Sequence, residues 1–117
     1  MPLLIIYGVP DENDDKLIYL MESLKHAIIN IQELKLKNDD ISFFFPKNIL
    51  HDKLGKEIII FVEGLLDKPE RTEDVRESLA LEIVRTTRLV FRELKLVECF
   101  IHPFKQENGF HSFPKSG

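Results

Sequence analysis

Two runs of consecutive apolar residues, Leu3-Leu4-Ile5-Ile6-Tyr7 and Ile58-Ile59-Ile60-Phe61-Val62, stand about half a chain apart. A helical pattern and a second short apolar run follow each of them. From residue 13 to residue 37 the apolar positions Leu17, Leu20, Met21, Leu24, Ala27, Ile28, Ile31 and Leu34 step by three and four, which puts them on one helical face. Ile41-Ser42-Phe43-Phe44-Phe45 then reads as a strand stopped by Pro46. The order returns with a strand at 56–62 broken by Glu63-Gly64, a helix at 72–92 and a strand at 96–101. Val75, Leu79, Ile83, Val84, Thr87 and Val90 line one face of that second helix. A shift of 56 residues lays 3–6 on 59–62, Gly8 on Gly64 and 43–45 on 99–101. An internal duplication of a βαβ unit accounts for this shared order.

A βαβ crossover places its helix on one side of the sheet. The expected architecture is therefore a two-layer α/β (α+β) domain, with a four-stranded mixed sheet and two helices on one face. The repeat halves span about 2–49 and 57–104, and a tail covers 105–117. Because the strands are apolar at consecutive positions rather than alternate ones, the opposite sheet face also needs cover. With 117 residues and one domain, nothing in the chain is left to cover it, so association of identical copies is expected.

Composition narrows the partners. The chain is 44% hydrophobic and 31% charged, with a net charge of −4 and its cations scattered, which argues against a nucleic-acid or anionic-membrane surface. Its one cysteine, Cys99, cannot form an internal disulfide, so a cytoplasmic home is the default expectation. No apolar run reaches the roughly 20 residues of a membrane helix, and the N-terminus lacks the charged start of a signal peptide. His26, His51, His102 and His111 share no metal-ligand spacing with one another or with Cys99. The acidic run Asp11-Glu12-Asn13-Asp14-Asp15 lacks the glycine and final glutamate of a calcium loop. No glycine-rich phosphate loop is present, and neither a metal nor a cofactor is expected.

Pro2 follows the initiator methionine directly. A small second residue favours removal of that methionine, which would leave a secondary amine at the tip of a rigid apolar strand. Such an amine is a base, although proline is also tolerated there simply because it needs no backbone partner. A duplicated βαβ chain beginning Met-Pro, with a sheet that needs partners, resembles the tautomerase superfamily, and most closely the branch of macrophage migration inhibitory factor and its bacterial relatives. The resemblance spans nearly the whole chain and implies a homotrimer. It also implies that Pro2 is a general base or acid, its pKa lowered by desolvation and nearby cations. The substrate it implies is a small carboxylate, a 2-oxo or unsaturated acid undergoing tautomerisation or isomerisation.

Other positions carry the likeness further. Glu70-Arg71-Thr72-Glu73 is similar to the superfamily's Gly-Arg-Ser/Thr segment, whose arginine holds the substrate carboxylate, with Glu70 in place of the glycine. The alternative for Arg71 is a solvated residue beside a Thr72 N-cap. Lys37 looks like the lysine that approaches the proline pocket, or else a dipole-stabilising residue at a helix C-terminus. Phe100 and His102 match the tyrosine and asparagine positions through which a neighbouring subunit completes the pocket. Asn108-Gly109 signals a tight turn, with Phe110 and Phe113 anchoring a hairpin. Two further readings stay open at this level: a trimeric binding module without catalysis, and a ferredoxin-like domain, which shares the βαββαβ order.

Overall fold

Branched and aromatic side chains suit a pleated, half-buried surface, and residues of that kind build the four strands. The computed structural model describes residues 2–10, 14–46 and 57–113. In chain order they form β1 (Leu3–Tyr7), α1 (Asp14–Ile29), β2 (Ser42–Phe44), β3 (Glu57–Leu66), α2 (Glu73–Val90) and β4 (Leu96–Phe104). The connector with His51, Asp52 and Gly55, and the residues Asp11 and Glu12, lie outside the described residues.

The sheet order is β2-β1-β3-β4. Within each βαβ unit the two strands are parallel neighbours, β1 with β2 and β3 with β4, and the units meet through the antiparallel pair β1–β3. This order overturns the ferredoxin-like reading, because that fold splits each βαβ unit by inserting a strand between its parallel partners.

Both helices pack on one face. Leu4 and Ile6 of β1, with Ile58, Ile60, Val62 and Leu65 of β3, bury against Leu20, Leu24 and Ile28 of α1 and Leu79 and Ile83 of α2. Each such side chain, fully removed from water, contributes about 1.5–3 kcal/mol. Thr87 sits in the same interface with no exposure, its hydroxyl satisfied by donating to the Ile83 carbonyl at 2.8 Å. The opposite face carries Ile5, Tyr7, Phe44, Ile59, Phe61 and Phe100, and among these Tyr7, Phe44 and Phe100 remain exposed.

The structure corrects four boundaries. α1 ends at Ile29, short of Lys37; a 3₁₀ turn at Gln32–Leu34, closed by Lys35 in the left-handed region (φ 53°), then delivers Leu34 to the core. A 3₁₀ turn and an α turn place successive apolar residues almost alike, so periodicity does not distinguish them. β3 runs on through Glu63-Gly64 instead of breaking there. Gly64 takes a positive φ of 75°, and the register with β4 shifts between Val62 and Leu65 as at a β-bulge. β4 extends to Phe104 and admits Pro103, which an edge strand tolerates. Finally, Asn108 ends a 3₁₀ turn capped by Gly109 (φ 103°), and no hairpin follows within the described residues. Phe110 packs on Phe104, with ring centres 4.8 Å apart, while Phe113 is 90% exposed.

Candidate functional site

Pro2 is buried at the head of β1, and its carbonyl accepts from the Ser42 N–H at 3.1 Å, which ties the strand start to β2. The next residue, Leu3, stands opposite Glu63 of β3. Glu63 in turn is hydrogen-bonded to His102 of β4, Nδ1 to Oε1 at 2.5 Å. Pro2 therefore begins one residue away from a row that crosses three strands and ends on a carboxylate–imidazole pair.

Aromatic rings continue that face. Phe61 stacks on Phe100 with centroids 5.3 Å apart, meets Tyr7 edge-on at 5.9 Å, and lies 5.6 Å from the His102 ring. Beside the row an open cleft of about 490 Å³ is lined by Glu63, Gly64, His102, Phe104, Phe110 and His111. Its walls mix two apolar rings with three polar groups, a composition typical of small-molecule sites. A second depression of about 460 Å³ lies between α1 and α2, rimmed by Glu33, Asp74 and Glu82.

The two candidate cations sit elsewhere. Arg71 is 6% exposed, and its guanidinium donates to the carbonyls of Leu66 (Nη1, 2.9 Å) and Leu34 (Nη2, 2.8 Å). Its Nε is buried without a hydrogen-bond partner. Desolvation draws its pKa below the ordinary arginine value, while the charges of Glu70 and Asp40 pull it back up. Thr72 next to it caps α2, its hydroxyl accepting from the Val75 N–H at 3.3 Å. Lys37 is exposed; its N–H donates to the Asp40 carboxylate at 2.8 Å at the start of a 3₁₀ turn, Asn38–Asp40. Neither cation lines the cleft beside His102.

So the structure puts Phe100 and His102 on one sheet face, level with Ile5 and Leu3 of β1, and it turns Arg71 inward. Glu63 was not singled out in the sequence. Its signal is period two, since Glu57, Ile59, Phe61 and Glu63 alternate with the buried Ile58, Ile60 and Val62. Its partner His102 lies 39 residues away and follows only from strand pairing. Among the described residues no group of three or more His, Cys, Asp or Glu side chains is placed to hold a metal ion, and no helix is long and apolar enough to cross a membrane.

No family model matches this sequence, and no curated protein matches it. Solved structures do match in shape. A wild-type fused 4-OT asymmetric trimer is 17% identical, with a TM-score of 0.65 over 88% of this chain and 86% of that one. N1, a member of the cis-3-chloroacrylic acid dehalogenase family, is 12% identical, with a TM-score of 0.71 over 93% and 79%. Macrophage migration inhibitory factor of Toxoplasma gondii is 8% identical, with a TM-score of 0.68 over 93% and 95%. The chain has the tautomerase-superfamily fold. The proline, the aromatic row and the carboxylate–histidine pair sit on that frame.

Proposed function

We propose that this chain is a tautomerase or isomerase that moves a proton on a small 2-oxo or unsaturated carboxylic acid, with Pro2 as the base once Met1 is removed. The observation that carries the reading is the place of Pro2: buried at the head of β1, one residue before the row Leu3–Glu63–His102 that borders the cleft. An apolar setting disfavours the charged ammonium, which keeps an amine usable as a base near neutrality.

A cation opposite the base would hold the substrate carboxylate and steady the developing enolate charge. Of the two candidate cations Lys37 is exposed, whereas Arg71 already spends two N–H groups on backbone carbonyls. The assembly proposed is a homotrimer. Its support is the open apolar sheet face, with Phe44 56% and Phe100 43% exposed, and the trimer formed by the fused 4-OT of the same fold.

The inward commitment of Arg71 favours a second reading, a trimeric binding module without turnover. One assay separates the two. Ketonisation of phenylpyruvate enol is followed for the untagged protein, its N-terminus checked by mass, and for Pro2→Ala. The catalytic reading expects rapid turnover that Pro2→Ala lowers by about a hundredfold or more. Equal rates for the two proteins remove Pro2 from the chemistry and leave the binding module.

A further inference from the structure

The Glu63–His102 pair joins a carboxylate to an imidazole at the edge of the cleft. A carboxylate can only accept, so the 2.5 Å contact places the imidazole proton on Nδ1 and leaves Nε2 as the free ring nitrogen. Two features fix this arrangement, and a third opens it to the cleft. The parallel register that sets Phe61 opposite Phe100 and Val62 opposite Ile101 carries on one residue to put His102 alongside Glu63, just before the register shifts at Gly64. Phe61 packs against the imidazole at 5.6 Å. The His102 side chain is 50% exposed and borders the cleft, within reach of a ligand there.

We propose that Glu63 and His102 form a second acid–base group for a 2-oxo acid bound in this cleft, His102 exchanging a proton with the substrate and Glu63 holding the imidazole in its working tautomer. The inference rests on the Pro2 reading for the other proton transfer. In ketonisation Nε2 takes the enol O–H proton and the O–H electron pair becomes the carbonyl π bond. The C2–C3 π pair then takes a proton from the Pro2 ammonium at C3. Enolisation runs the same steps backward, and the two bases reset by exchange with water. Phe104 and Phe110, with rings 4.8 Å apart, give the apolar wall that an aromatic or aliphatic side chain of the acid would meet.

The test combines kinetics with nitrogen-15 NMR of the His102 ring in the full chain. His102→Gln is expected to lower kcat for phenylpyruvate by about a hundredfold while KM changes by less than about threefold, and added imidazole is expected to restore part of the activity of His102→Ala. Glu63→Gln, which keeps the side-chain shape, is expected to give an intermediate loss and a mixture of ring tautomers in place of one. Saturating phenylpyruvate is expected to move the Nε2 resonance, in Pro2→Ala as well as in wild type. Wild-type kcat in His102→Gln overturns the dyad and leaves the Pro2 reading standing. Loss in His102→Gln together with full activity in Pro2→Ala supports the dyad and removes the proline. An Nε2 resonance that phenylpyruvate leaves in place, or a tautomer that Glu63→Gln leaves unchanged, overturns the proposal whether or not turnover is seen.

Discussion

The Arg71 guanidinium donates to the Leu34 carbonyl at 2.8 Å across 37 residues of sequence, and so joins the start of α2 to the turn that follows α1. Its second bond, to the Leu66 carbonyl, adds the end of β3 to the same junction. Arg71→Ala strands one buried and one part-buried carbonyl, and the expected destabilisation is about 2–4 kcal/mol. Arg71→Lys should lose less, since it keeps the charge but not the fork. Urea denaturation of the three proteins measures this; a midpoint for Arg71→Ala equal to wild type would show the brace to be idle.

Phe100 stacks on Phe61 at 5.3 Å while remaining 43% exposed on the open sheet face. If copies associate through that face, Phe100→Glu buries a charge in the contact, which is costly when unpaired. Sedimentation should find the wild type at the mass of three 13.7 kDa chains and the variant at the mass of one. A wild-type monomer contradicts the assembly.

Burial pushes the Cys99 thiol up to about 12 from an ordinary 9.0. The native thiol should therefore resist alkylation at pH 8 and react rapidly after unfolding. Linkage adds a second expectation. Above pH 9 the unfolded state gives up this proton and the folded state keeps it, so the contribution is complete below pH 9 and is lost as pH rises towards 12. Melting temperatures between pH 9 and 11 should fall more steeply for wild type than for Cys99→Val.

Thr87 is wholly buried in the helix–sheet interface and back-bonded to Ile83. Replacement by valine keeps the shape and removes the donor together with the need for a partner, so stability should stay within about 1 kcal/mol. Thr87→Ala also opens space in the core, and its loss should be the larger of the two, by thermal or chemical denaturation. The reverse order would mean that the hydroxyl matters more than the packing.

Periodicity and the 56-residue echo sufficed for the two-layer βαβ duplication, for Leu4, Ile6, Leu79 and Ile83 as core, and for a sheet face left open. Those features depend on local spacing, which one chain displays directly. The end of α1, the bulge at Gly64, the inward turn of Arg71 and the pairing of Glu63 with His102 were settled by contacts between residues far apart in sequence. A charged side chain beside a helix start reads the same whether it meets water or two backbone carbonyls. A glutamate before a glycine likewise reads as a strand end until the neighbouring strand supplies its histidine. Burial and cross-strand register are properties of the assembled sheet, and they decide what a polar residue does.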